Sequence, residues 1–144
     1  MNVLGVELEY DFFDADQLEI YERENKKVAE DIGDMEQYEG KSTADAIRIQ
    51  CRIVDNFFDA VFGEGTAKKL FHGKANILEH MDAFGTVVQG AGNARAEFEA
   101  IEDKYTPNRA ERRQEEKDAR QFQKQKSRNY YHNTAGRNGK GHSH

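Results

Sequence analysis

Residues 63–68 have the sequence G-E-G-T-A-K, and their two glycines and lysine suggest a loop that binds phosphate. A P-loop has the pattern G-x-x-x-x-G-K-[ST] after a buried strand, and its backbone amides surround the phosphates. Here the glycines are only two residues apart, Lys68 is followed by Lys69, and no Ser or Thr stands at the magnesium position. The dinucleotide-binding pattern is also incomplete, because its third glycine is missing.

A joint between two helices explains the same residues without a ligand. Gly63 would close the phenylalanine-rich helix that precedes it, because glycine readily adopts the left-handed conformation that follows many helices. Thr66 would cap a short helix with the sequence AKKLFH, and Gly73 would end that helix. We therefore predict a joint between helices at this place and no phosphate-binding loop.

Other residue types that could perform catalysis or bind a metal do not form a recognisable pattern. The histidines lack the spacing of metal ligands: they are His72, His80, His132, His142 and His144. Cys51 is the single cysteine, so we expect no disulfide and no cysteine-based metal site. Paired catalytic carboxylates need a partly buried cleft, whereas the carboxylates here fall on predicted solvent-exposed faces. We expect a protein without catalytic activity, cofactor or resident metal.

The charge of the 144 residues is unevenly divided. Residues 1–106 contain 11 Lys and Arg against 23 Asp and Glu, a net charge of −12. Residues 107–144 contain 10 Lys and Arg against 4 Asp and Glu, a net charge of +6. Such an asymmetry often marks an interaction tail. No apolar run approaches the roughly 18 residues of a membrane-spanning helix, so we expect no membrane partner.

Residues 6–12 alternate apolar and acidic side chains, the period-two pattern of a half-buried strand. Gly5 follows the apolar pair Val3 and Leu4 and could turn a short hairpin at that point. Two strands alone are only marginally stable, so we expect this β-ribbon to lie on helices.

The remaining periodicity of the first 106 residues is helical. Pairs with capping-box spacing predict three helix starts: Asp14 with Gln17, Ser42 with Asp45, and Asn76 with Glu79. The first helix is expected to end at Gly33, before a polar loop over residues 34–41. The second helix is apolar around most of its circumference and is therefore expected at the centre of the fold. The last helix is predicted to run to Lys104 with a weak or kinked segment at Gly90–Gly92, since each glycine costs about 1 kcal/mol relative to alanine.

These patterns predict a mainly α fold: a small acidic helical domain over residues 1–106 with an N-terminal β-ribbon, and a basic tail over residues 107–144. Pro107 marks the boundary, because the residue before a proline disfavours helix. The tail is predicted to be helical to about residue 128 and disordered beyond. Its basic residues and nearby tyrosines could contact nucleic acid. Interleaved carboxylates and the acidic domain argue against that, so we expect the tail to bind another protein or the acidic domain.

Three passages resemble a family of small tailed-bacteriophage proteins: GVELEYDFFDADQLEIYE, VDNFFDAVFGEGTAKKLFHGKANILEHMDAF and YTPNRAERR. Together they cover most of residues 3–113. Members of that family look like the tail assembly chaperones of long-tailed phages, which are small, mainly helical and non-enzymatic. The resemblance implies a protein in the cytoplasm of the bacterial host that binds the tape-measure protein and recruits tail-tube subunits. It implies absence from, or scarcity in, the mature virion.

A protein that coats a client needs helix faces that accept the apolar stripe of a long partner helix. The candidate partner-binding residues are Phe57, Phe58, Phe62, Phe71, Met81, Phe84, Arg109, Arg112 and Arg113. The apolar members of this set are equally suited to a core, and an exposed stripe could also mediate self-association. Two alternatives remain: a structural virion component such as a tail-completion or adaptor protein, and a nucleic-acid-binding regulator that acts through its tail.

Overall fold

A computed structural model describes residues 1–106 and 113–121, which form a mainly helical structure with an N-terminal antiparallel hairpin. The elements are β1 (Asn2–Val3), β2 (Val6–Glu7), α1 (Ala15–Ile32), a 3-10 helix (Met35–Tyr38), α2 (Thr43–Phe62), α3 (Thr66–Phe71) and α4 (Ile77–Tyr105). Residues 113–121 are also helical. The chain divides into two compact units, Met1–Phe98 and the residues from Glu99 on. The mainly α fold with its hairpin is confirmed, and the proposed domain boundary at residue 106 stays a prediction.

The hairpin turns at Leu4 and Gly5, whose φ angles of 49° and 83° are both left-handed. Two consecutive left-handed residues form the tight turn that best matches the twist of paired strands. Only two residue pairs face each other, Asn2 with Glu7 and Val3 with Val6. The paired strand is therefore shorter than the predicted strand over residues 6–12, although Met1 and Leu8 also exchange backbone hydrogen bonds, at 2.8 and 3.0 Å. Residues 8–12 still alternate between partly or fully buried apolar side chains and exposed acidic ones.

The three predicted N-terminal caps are present. The side chains of Asp14, Ser42 and Asn76 accept the backbone N–H of the residue three positions on, at 3.0, 3.1 and 3.1 Å respectively. Gly33 follows the last residue of α1, as expected. The polar loop predicted over residues 34–41 contains the 3-10 helix Met35–Tyr38, which the Tyr38 hydroxyl anchors by donating to the Ile32 carbonyl at 2.8 Å.

Helix α2 lies at the centre of the unit Met1–Phe98, as its apolar circumference predicts. Its Phe57 ring packs edge-on against Tyr21 of α1 and Phe84 of α4, with ring centroids 6.2 and 4.9 Å apart. Its Phe58 ring packs against Phe71 of α3 at 5.7 Å. The aromatic side chains of α2 thus contact the three other α-helices of this unit, which fixes where those helices lie.

Helix α4 is continuous from Ile77 to Tyr105, so Gly90–Gly92 does not interrupt it. A methyl group at Gly90 would lie 3.2 Å from the Met1 sulfur and 3.6 Å from the Phe12 ring, whereas Gly92 has no neighbour within 4 Å of that position. Gly90 therefore lets the N-terminal segment pack closely on α4. This packing explains the glycine at position 90 but not the one at position 92.

The second unit is described for residues 99–106 and 113–121. Arg113 forms an ion pair with Asp103, and Gln114 donates to Asp118 at 3.1 Å, one helical turn further on. The helix over residues 113–121 agrees with the predicted tail helix in that stretch. The rest of the tail, including the end that is predicted to be disordered, lies outside the described residues.

Candidate protein-binding surface

The structure places the apolar candidates for partner binding mostly in the core. Phe57, Phe58 and Phe71 are at most 2% exposed, so a client could reach them only if the core opened. The other three, Phe62, Met81 and Phe84, are half-buried against that core. Of the three basic candidates, Arg113 is bound to Asp103, and Arg109 and Arg112 lie outside the described residues. A partner-binding role for these residues stays a prediction.

The G-E-G-T-A-K segment forms a joint between α2 and α3. Gly63 follows α2 with a φ of 112°, and Gly65, in the left-handed region, occupies the N-cap of α3. Thr66 is the first residue of the helix and does not cap it, because Gly65 takes that position; its hydroxyl donates back to the Gly63 carbonyl at 2.7 Å. The Ala67 N–H donates to the Asp59 carboxylate at 2.9 Å. The amides of Thr66 and Ala67 are thus bound to protein oxygens and do not surround a phosphate.

His80 is fully buried and joins α4 to α2, a role that its sequence spacing to other histidines did not reveal. Its Nδ1 donates to the Asn76 carbonyl at 2.7 Å, and its Nε2 lies 2.8 Å from the Asp55 carboxylate. The ring stacks on Phe71 with centroids 3.6 Å apart. The helical spacing of the sequence could have indicated its burial, because His80 shares a face of α4 with the buried Ala83 and Val87.

The Cys51 thiol is not activated, and the acidic residues of the described part form no metal-binding cluster. Burial raises the pKa of the Cys51 thiol, and the nearby Asp55 carboxylate raises it further, which disfavours the nucleophilic thiolate. Among residues 1–106 and 113–121, no group of three or more His, Cys, Asp and Glu side chains is placed to hold a metal ion.

An open apolar groove of about 690 Å³ lies between α1, the segment before it, and the second half of α4. Helix α1 contributes Leu18 and Tyr21, and the Phe12 ring packs edge-on against Tyr21 with centroids 5.3 Å apart. The α4 side consists largely of small residues, among them Ala91, Gly92 and Ala94. The groove exists because α1 packs mainly along α2, so that the small residues of α4 leave a gap beside it.

Large apolar side chains at the margin of this groove are open to solvent. Phe13 is 54% exposed, Phe98 is 50% exposed and Val88 is 38% exposed. Contiguous exposed apolar surface of this kind commonly marks a place where another molecule binds. Met35 and Leu78 are more exposed still, at 70% and 79%, but they lie outside the groove. The groove margin also carries one charge of each sign, Glu22 on α1 and Arg95 on α4.

The fold and this groove define a small helical protein with an open apolar surface. The chain belongs to a family described as a family of unknown function (DUF6673), whose model matches residues 4–117. No curated protein and no solved structure matches the chain. In the described part of the chain, no helix is both long and apolar enough to span a bilayer.

Proposed function

We propose that this protein is a tail assembly chaperone of a long-tailed bacteriophage. In this role it binds the tape-measure protein in the host cytoplasm, helps recruit tail-tube subunits, performs no catalysis and is absent from or scarce in the finished virion. The groove between α1 and α4 is the observation that supports the proposal most directly. The likeness of three sequence passages to small tailed-phage proteins supplies the identity of the client.

The groove is suited to an apolar stripe on a long helix. A helix presents side chains at i, i+3, i+4 and i+7 on one face, and such a face docks into a hydrophobic groove through a few anchors. The small residues Ala91, Gly92 and Ala94 allow close approach, while Phe13 and Phe98 stand at the margins. Covering the exposed half of each phenylalanine would remove roughly 100 Å² of apolar surface from water, which contributes about 2 kcal/mol per ring.

The acidic character of residues 1–106 suits a protein that holds an apolar client. A net charge of −12 over these residues gives the complex a strongly charged exterior. Mutual repulsion between such complexes opposes aggregation, so the client stays soluble while its apolar stripe is covered.

Co-expression with the tape-measure protein tests the proposal. The chain is expected to raise the soluble fraction of the tape-measure protein and to co-purify with it. Replacing both Phe13 and Phe98 by serine should abolish complex formation, because these rings are the exposed anchors of the groove. The matched control replaces Met35 and Leu78 by serine, two side chains that are at least as exposed but lie elsewhere.

Two results would contradict the proposal. The first is an unchanged solubility of the tape-measure protein with no complex. The second is the protein at stoichiometric amounts in purified particles by mass spectrometry, which would assign it to the virion structure instead. Binding to DNA or RNA that weakens with salt would point to the nucleic-acid alternative, because phosphate contacts release counterions.

A further inference from the structure

A second pocket, of about 430 Å³, lies between α2, α3 and the turn before α4, and shares no residue with the apolar groove. Four of its lining residues are cationic: Arg48, Arg52, Lys68 and Lys74. Residues 1–106 contain only 11 Lys and Arg against 23 Asp and Glu. More than a third of the positive side chains of this acidic stretch therefore line one pocket.

The backbone places these four residues, whose side chains are exposed, around the pocket on α2, on α3 and in the turn before α4. Arg48 and Arg52 are four residues apart on α2, so they extend from the same face of that helix. Lys74 follows two left-handed residues, His72 and Gly73, with φ angles of 55° and 74°. They turn the chain back at the end of α3, and the Lys74 N–H donates to the Phe71 carbonyl at 2.9 Å, which fixes the turn.

The two carboxylates that line the pocket are bound to internal donors. Asp55 lies 2.8 Å from Nε2 of the buried His80, and Asp59 accepts the Ala67 N–H at 2.9 Å. Both acids thus secure the packing of neighbouring elements onto α2. Their presence lowers the positive potential of the pocket; with Asp45 bound to Arg48, the four cationic groups face three carboxylates and keep a net positive charge.

Three of the four cations have no ion pair within the described residues. Arg48 binds Asp45 at 2.8 Å, whereas Arg52, Lys68 and Lys74 have no carboxylate within 4.0 Å among residues 1–106 and 113–121. Positive groups gathered around one pocket repel each other, and an anion between them replaces that repulsion with attraction.

We propose that this pocket binds a small, multiply charged oxyanion: phosphate, or the phosphoryl group of a small molecule. The volume lies within the range of small-ligand sites, and the planar Arg52 guanidinium can donate two parallel hydrogen bonds to such a group. The contacts come from side chains, because the Thr66 and Ala67 amides of the adjoining joint already have protein acceptors. A long polyanion would meet the surrounding acidic surface, which favours a small ligand over nucleic acid.

Titration of the full chain with inorganic phosphate, and separately with AMP, tests the site by ¹H–¹⁵N NMR at constant ionic strength, with chloride as the reference anion. The shifts are expected in residues 48–59, 66–71 and 73–75. Replacing Arg52 and Lys74 by glutamine should weaken binding about tenfold or more, because charge-assisted hydrogen bonds are lost. Equal affinity for phosphate and AMP identifies the phosphoryl group as sufficient, and tighter binding of AMP identifies a phosphorylated small molecule as the source.

The matched control replaces Lys27 and Lys41 by glutamine, which removes the same charge outside the pocket and should change the affinity less than about twofold. Equal weakening by both double variants, shifts spread over the whole surface, or binding of an oligonucleotide alone would overturn the proposal. Circular dichroism verifies that the variants remain folded. The Phe13→Ser/Phe98→Ser variant should retain phosphate binding, so the outcome is independent of the proposed chaperone function.

Discussion

At the scale of single residues, the buried His80 is the most constrained polar group of the described core. One of its ring nitrogens donates to the Asn76 carbonyl, and the other faces the Asp55 carboxylate. Both neighbours are acceptors in these contacts, so the ring is fully satisfied only while each oxygen stays in place. A buried polar group that loses its partner has no compensating contact with water.

Replacing Asp55 by alanine should therefore lower the free energy of unfolding by about 1–3 kcal/mol, because His80 Nε2 would be left buried without a hydrogen-bond partner. The control is Asp82→Ala, which removes an exposed carboxylate of α4 and should change stability by less than about 0.5 kcal/mol. Urea denaturation at neutral pH compares the two. Equal midpoints for both variants would show that the contact between Asp55 and His80 contributes nothing to stability.

At the scale of the elements, the glycines of α4 differ in what surrounds them. Apart from the adjacent residues and the backbone of their own helix turn, Gly85 and Gly92 have no atom within 4 Å of the position that a side chain would occupy, whereas Gly90 faces Met1 and Phe12. Helix propensity alone favours alanine at all three positions. Only the packing of the N-terminal segment distinguishes Gly90 from Gly85 and Gly92.

Gly85→Ala is accordingly expected to raise the free energy of unfolding by about 0.5–1 kcal/mol. Gly90→Ala should give a smaller gain or a loss, because its new methyl group would lie 3.2 Å from the Met1 sulfur and displace it. Thermal unfolding of the two variants measures the difference. A gain of the same size at both positions would mean that the N-terminal segment yields freely and that Gly90 has no packing role.

The elements also show which features a sequence can predict. The caps at Asp14, Ser42 and Asn76 and the turn at Gly5 depend on interactions within a few residues, so local patterns suffice to locate them. The contact between His80 and Asp55 spans 25 residues, and the α1/α4 groove results from how two helices pack around a third. Neither has a local pattern, because both depend on distances that only the tertiary structure sets.

At the scale of the whole molecule, the net charge and the exposed apolar surface have opposite effects on self-association. The net charge of −12 over residues 1–106 makes copies of the chain repel, while Phe13, Val88 and Phe98 form an apolar surface that favours association. Salt weakens only the first of these, since the Debye length falls from about 10 Å at 0.1 M to about 3 Å at 1 M ionic strength. Apolar association is not weakened in the same way.

The protein without its client is therefore expected to self-associate more as the ionic strength rises from about 0.1 M to about 1 M. Light scattering coupled to size-exclusion chromatography gives the mean mass at each salt concentration. In the Phe13→Ser/Phe98→Ser variant the increase should disappear, because the apolar surface at the groove is reduced while the net charge is unchanged. The Met35→Ser/Leu78→Ser variant should behave like the natural sequence, since these residues lie outside the groove. A mean mass that falls with salt would instead mean that opposite charges hold the copies together, and would place the self-association surface outside the groove.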